Sequence, residues 1–222
     1  MIETGSIAEI TMKVIQDRRS IREYTEEPVS EEDLAMILEA ARQAPSGENA
    51  QPWRFVVVKD PDLRMKIGTL AGGGSGRRFT AEFVTNKMQA RFAGLEDEEK
   101  KKAAFEKLTS GKVSVSLAYA PVVIVACGKK NVWDTPYDTS AAIENMLLMV
   151  TALNLGACWY IAPCFDVRDE MRLKKILNIP DDVKAVSIIA IGHPVRPHRQ
   201  RPRLPINELV FAEKWGNTYY KD

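Results

Sequence analysis

Apolar positions early in the chain recur at helical spacing and later give way to short unbroken apolar runs. Ile7, Ile10, Thr11 and Val14 share one helical face, and Ser6 followed by Glu9 has the form of a capping box. The pattern predicts a first helix that runs into Arg18-Arg19-Ser20-Ile21-Arg22. Its guanidiniums would then sit at or just past a helix C-terminus, a favourable place for cations. Ser30 and Asp33 repeat the capping pattern ahead of Leu34, Ile37, Leu38 and Ala41. Pro45 stops this second helix, because its ring disfavours helical geometry at Ala44. Residues 54–59 (RFVVVK) read as a strand with an apolar centre, residues 122–127 (VVIVAC) as a central buried strand, and residues 183–192 as the last clear strand. Between residues 138 and 155, Ile143, Met146, Leu147, Val150 and Leu153 make a helix apolar nearly all round, as expected in a core or a subunit interface. Residues 157–163 (ACWYIAP) read as short and extended, and Asp166 caps a helix over 167–177.

The middle of the chain is more polar. Asp60 caps a helix with Pro61 at its first position, and Leu63, Ile67 and Leu70 point inward. Residues 71–78 (AGGGSGRR) lack a preceding strand, a GK[ST] and a G-x-G-x-x-G spacing, so they do not read as a phosphate loop. They read as a flexible hinge. Residues 79–110 look helical, and the charge run at 96–102 (EDEEKKK) suits a solvated face. The whole is expected to be one domain, residues 1–222, with a peripheral excursion or lid at about 72–118. Residues 193–203 are rich in proline and arginine, which keeps them extended. Apolar content resumes over 204–215 and should pack on something, such as a partner subunit.

Composition narrows the function classes. Hydrophobic residues at 45% are enough for a proper core. The formal net charge of +1 argues against a dedicated nucleic-acid binder. Cys127, Cys158 and Cys164 form no CxxC pair, so no zinc site or iron–sulfur cluster is indicated. A sparse, odd cysteine count suits a reducing cytoplasm. No signal-peptide core and no membrane span is seen, so the expectation is a cytoplasmic protein without membrane association.

Candidate chemistry lies in two places. The first is the arginine stretch itself, because guanidinium forks bind phosphate oxygens in a bidentate, charge-assisted way. The second is residues 44–53 (APSGENAQPW), a polar loop longer than the ~2–6 residues common between a helix and a strand. His193 and His198 stand beside prolines with no recognisable triad partner. Trp53 and Trp159 read as core aromatics, Cys158 and Cys164 as small buried hydrophobes, and Arg196 and Arg199 as solvated. Tyr119, Trp133 and Tyr137 are expected to pack.

Four landmarks then stand in order: the arginine–serine stretch, the Ala-Pro-Ser…Asn…Gln-Pro-Trp loop before a strand, Gly-Ala-Cys-Trp after an apolar helix, and Arg-Pro-Arg in the tail. Together they resemble the nitroreductase family of FMN-dependent NAD(P)H oxidoreductases, over about residues 10–60 and 120–210. The resemblance implies an α+β fold with a central, mostly antiparallel sheet flanked by helices. It also implies an intertwined homodimer, with a C-terminal extension at about 196–222 reaching across to the partner. By the same resemblance, Arg18, Arg19 and Ser20 match phosphate and ribityl contacts of FMN, and Arg22 the basic residue at the pyrimidine end. Arg201 and Arg203 match the tail pair that closes on the phosphate. Pro45, Ser46, Gly47 and Asn49 match a loop supplied by the other subunit. Ser140 and Ile143 match helix positions near the cofactor. Ile161, Ala162 and Pro163 match the segment facing the flavin edge near N5, although this chain reads Ile-Ala-Pro-Cys where a glutamate and a glycine are often found. The implied activity passes a hydride from NAD(P)H, through the flavin, to a nitroaromatic, a quinone or a similar small-molecule acceptor by a ping-pong route. No side-chain acid or base is required for it. Two alternatives stay open: the same fold with reductive dehalogenation or flavin fragmentation, and a non-catalytic module for anionic ligands or RNA.

Overall fold

The computed structural model describes residues 5–196 and 200–220. Strands β1 (Trp53–Val58), β2 (Val122–Lys129), β3 (Gly156–Tyr160) and β4 (Val183–Gly192) form one sheet in the order β1-β2-β4-β3. Every neighbouring pair is antiparallel. Residues alternate between the two faces of a strand, so each apolar run serves two cores. On one face Ile124, Ala126, Ile189 and Ile191 pack with α2 (Glu31–Arg42) and α7 (Thr135–Ala152). On the other, Val123, Val125, Ile188 and Ala190 pack with Ile67 and Ala71 of α3 (Pro61–Val84) and Leu173 of α8 (Val167–Leu177). The result is the expected α+β arrangement, a sheet between two helical layers. Trp53 lies in the first core, and the Trp159 indole N–H donates to the Ser187 hydroxyl, which donates in turn to the Tyr160 carbonyl at 2.8 Å.

The helix ends follow their capping residues. Ser6 and Glu9 form both halves of a capping box on α1 (Ile7–Asp17), and the Ser30 hydroxyl accepts from the Asp33 N–H at 3.0 Å. Asp60 caps α3 and Asp166 caps α8 in the same way. α7 begins at Thr135, ahead of the expected Asp138, because Pro136 fits its first turn. β3 ends at Tyr160 and does not continue to Pro163.

The hinge expected at residues 71–78 is absent: α3 runs unbroken through all the glycines. Three of them, Gly68, Gly72 and Gly76, act as spacers. A Cβ on Gly68 would lie 2.7 Å from the Ala118 Cβ, one on Gly72 2.4 Å from Val115 Cγ2, and one on Gly76 2.8 Å from the Thr109 carbonyl. Positions four apart lie on one helix face. That face is pressed by α6 (Lys112–Val115) and the 3-10 turn Ser116–Tyr119. Close packing there offsets the roughly 1 kcal/mol that each helical glycine costs. The expected helix over 79–110 is three pieces: the end of α3, α4 (Lys87–Arg91) and α5 (Glu98–Thr109). Asn86 takes a left-handed conformation at the first break, with φ of 57°. The charge run opens α5, where Asp97 caps the helix by accepting from the Lys100 N–H at 3.0 Å.

Tyr119, Trp133 and Tyr137 do not pack within the chain; they are 63%, 92% and 74% exposed. Leu204, Ile206, Leu209 and Trp215 of the tail are also exposed, as are Ile7, Ile10, Met12 and Ile15 of α1. Among the described residues no helix is long and apolar enough to cross a membrane.

Candidate functional site

The arginine stretch is fixed by backbone before any side chain is considered. Arg18 caps the end of α1, its N–H donating to the Val14 carbonyl at 3.1 Å. The Arg19 guanidinium folds back on the helix end and donates to the carbonyls of Gln16 and Arg18, which suits the negative end of the helix dipole. The chain then straightens against the outer edge of β3. Ser20 forms a parallel bridge with Ala157, and the Ile21 N–H donates to the Ala157 carbonyl at 2.8 Å. Ile21 is buried against Gly156, where a Cβ would come within 2.8–2.9 Å of three of its side-chain atoms. The Tyr24 hydroxyl donates to the Ile21 carbonyl at 2.5 Å. Two further bonds, Thr25 N–H to the His193 carbonyl at 2.9 Å and Val195 N–H to the Glu23 carbonyl at 3.2 Å, lay the residues after β4 beside this stretch.

That pairing brings the two ends of the chain to one cleft. Arg18, Arg19, Ser20, Arg22, Glu23, Lys107, Arg196, Arg201 and Arg203 line a space of about 540 Å³. Seven of these nine side chains are cations and one is a carboxylate. Arg18 also reaches the Glu144 carboxylate on α7, Nε to Oε1 3.4 Å, and Glu23 pairs with Arg196 at 3.0 Å. The Arg19 Nε is buried without a hydrogen-bond partner. A buried donor left over in so positive a setting is the chemistry of an anion site, and a phosphate dianion fits it.

Beneath the cleft lies a less polar layer. Burial pushes the Cys158 thiol up, only partly offset by the Arg22 guanidinium and by hydrogen bonds from Tyr160 and Ser20. Burial also raises Tyr24 well above the usual phenol range, with Tyr160 and Cys158 adding to it and Arg22 opposing. The Tyr160 hydroxyl lies 2.9 Å from the Ser116 hydroxyl. All three cysteines are buried and free, so none stands ready as a redox thiol.

The other residues singled out from the sequence fall elsewhere. Pro45, Ser46, Gly47 and Asn49 belong to the turn between α2 and β1, where Glu48, Asn49 and Gln51 all have positive φ. The Ser46 hydroxyl accepts from the Gln51 N–H at 3.0 Å, and the Gly47 N–H donates to Asp138 Oδ1 at 3.3 Å. The turn thus rests on the first turns of α7 and does not line the arginine cleft within this chain. Ser140 is partly exposed and donates to the Pro136 carbonyl at 2.7 Å. Ile143 is fully buried in the core beside α2 and the sheet. Ile161 is exposed and Pro163 buried, while Ala162 lies against α3, 3.9 Å from where a Gly74 Cβ would stand. Beside it the buried Asp169 carboxylate pairs with Arg77 and, at 3.5 Å, with Arg172. His193 lies 3.8 Å from the Glu27 carboxylate, at the surface. His198 and Arg199 fall outside the described residues, as do 197 and 221–222 of the C-terminal extension.

Two cleft residues, Glu23 and Lys107, escaped the sequence reading, and a third, Arg196, was read only as solvated. Glu23 and Arg196 could have been suspected from their neighbours, a carboxylate next to Arg22 and an arginine near Arg201. Lys107 carries no local signal, since it sits in a helix of ordinary solvated character.

Comparison with known proteins converges with this geometry. The family model described as Nitroreductase family matches residues 15–193. An FMN reductase [NAD(P)H] of Bacillus subtilis (strain 168) is 31% identical over 207 residues, which is 93% of this chain and 74% of that protein. An iodotyrosine deiodinase of Thermotoga neapolitana is 29% identical over 206 residues, 90% of this chain and 97% of that one. An FMN-dependent nitroreductase of Clostridium difficile R20291 superposes with a TM-score of 0.67 at 22% identity, covering 92% of this chain and 99% of that structure, and supports the fold alone. With the antiparallel sheet between helical layers and the arginines of both chain ends at one cleft, the match over residues 15–193 makes this chain a member of the nitroreductase family.

Proposed function

We propose that the chain acts as an FMN-dependent oxidoreductase that passes two electrons from NAD(P)H to a nitroaromatic, quinone or similar electrophilic acceptor, one substrate leaving before the next binds. FMN as cofactor and NAD(P)H as donor accord with the family and with the relatives' names. The carrying observation is the cleft itself, where Arg18, Arg19, Ser20 and Arg22 meet Arg201 and Arg203. These side chains would hold the phosphate, and Arg22 would stand towards the pyrimidine end of the ring. When bound, FMN supplies hydride chemistry at its N5, which asks no acid or base of the protein. The protein's part is binding, orientation and a positive field that favours the reduced, more anionic state.

The active form is proposed to be a homodimer in a reducing cytoplasm. Ile7 is 85% exposed and Trp215 90% exposed, at opposite ends of the chain, and large apolar side chains accompany both. Large apolar side chains left this exposed at both ends suit an interface with a second copy. A partner's turn at 45–49 would then complete the flavin site, and residues 72–118 would form its lid.

The likeness to an iodotyrosine deiodinase favours one second reading: reductive removal of halide on the same scaffold. Flavin reoxidation after anaerobic reduction, screened against nitroaromatics, quinones and haloaromatics, separates the two. For the cleft, the purified protein should be yellow and Arg18→Ala/Arg203→Ala should emerge without flavin. Full FMN occupancy in that double variant would remove the phosphate assignment. A colourless wild-type protein whose anion affinity falls steeply with salt would instead favour the binding module.

A further inference from the structure

We propose that Lys107 couples the lid to the cofactor: a phosphate dianion in the arginine cleft docks α5 onto the body of the protein. The inference rests on the phosphate reading of the cleft and goes beyond it. Lys107 is the one cleft residue contributed by the segment 72–118; the rest come from the residues after α1 and from the tail. It lies in the last turn of α5, where a cation is favoured by the helix dipole.

Apart from the close approach of its last residue, Thr109, to Gly76 of α3, α5 is lightly anchored. It has no buried residue, and its aromatic anchor is Phe105, edge-on to Phe83 at 5.6 Å and to Phe92 at 5.7 Å, both in the same layer. Helices with few buried contacts are those that open first. The field at Lys107 then matters. With the cleft empty of anion, six other cations and one carboxylate among the described residues face the same space, and Lys107 is repelled. A dianion among them reverses the sign, and the ammonium gains a charge-assisted contact. Phosphate occupancy thereby sets how firmly α5 closes, and with it the aromatic cluster of Phe83, Phe92 and Phe105.

The test uses hydrogen exchange and affinity on the reconstituted full-length protein. Saturating FMN should slow exchange of the α5 amides, residues 98–109, whereas saturating riboflavin, which lacks the phosphate, should not. Lys107→Ala should abolish that slowing while keeping protection around residues 18–22. It should also weaken FMN binding roughly fivefold at low salt, the scale of one solvent-exposed ion pair, and leave riboflavin binding unchanged. Equal α5 protection in wild type and Lys107→Ala, or none in wild type, overturns the coupling. Arg18→Ala distinguishes the failures: if it releases FMN while Lys107→Ala does nothing, only the coupling falls. If neither weakens FMN, the phosphate cleft falls as well.

Discussion

The Ile21 N–H donates to the Ala157 carbonyl at 2.8 Å, and that bond ties the arginine stretch to the edge of the sheet. Through it a rigid strand sets where Arg18, Arg19 and Arg22 point. The glycine before Ala157 lets the two segments approach, since any Cβ there would strike Ile21.

Gly156→Ala should therefore push residues 20–21 off β3. One of the three close Ile21 atoms is its own Cβ, at 2.9 Å, so a rotamer change cannot relieve the contact. A loss of about 1–3 kcal/mol in stability is expected, as for overpacking elsewhere. FMN affinity should fall with it. Urea denaturation and flavin fluorescence titration measure both, and an unchanged flavin affinity would show that the edge bond does not orient the arginines.

The glycines of α3 allow a paired test. Gly72 has Val115 Cγ2 2.4 Å from where its Cβ would stand, whereas Gly73 has only the mobile end of Arg77 at 3.4 Å. Gly73→Ala should stabilise by about 0.5–1 kcal/mol through helix propensity. Gly72→Ala should instead destabilise by about 1–3 kcal/mol. If both raise the melting temperature, the helix is not packed as described.

High pH should weaken the fold. Burial, helped by the Glu170 carboxylate, pushes the Cys127 thiol from 9.0 up to about 12. Cys158, Cys164, Tyr24 and Tyr160 are raised too, in each case chiefly by burial. A group with a raised folded pKa keeps its proton longer when folded, so its contribution is intact below the unfolded value and is lost as pH climbs through the folded one. Stability should hold up to about pH 9 and decline steadily from there towards pH 12. Urea midpoints at intervals across that range would test it, and a flat profile would contradict the burial of these groups. The same burial should leave the native thiols inert to iodoacetamide at pH 8 until the chain is unfolded.

Glu23→Gln removes the one carboxylate that lines the cleft among the described residues. It should tighten FMN binding about threefold at low salt, the scale of an exposed charge, with the gain fading as salt is added. Weaker binding would mean that Glu23 matters more for holding Arg196, its partner at 3.0 Å, than for opposing the phosphate.

Much of this molecule is already written in the order of its residues. Ser6, Ser30, Asp60 and Asp166 mark helix starts because capping is a contact between near neighbours, and the apolar runs of β2 and β4 mark a sheet covered on both faces. The arginine stretch pointed to a candidate anion site only once the loop, the Gly-Ala-Cys-Trp segment and the tail arginines were read with it. Contacts between distant residues could not be read that way. The glycine run after Ala71 looked like a hinge until Val115 and the Thr109 carbonyl came to fill the space that Gly72 and Gly76 leave. Lys107 had no signal until α5 carried it across to the arginines. Local chemistry sets where elements begin and which faces are apolar, whereas the sheet order and the docking of α3, α5 and α7 decide which side chains share a space.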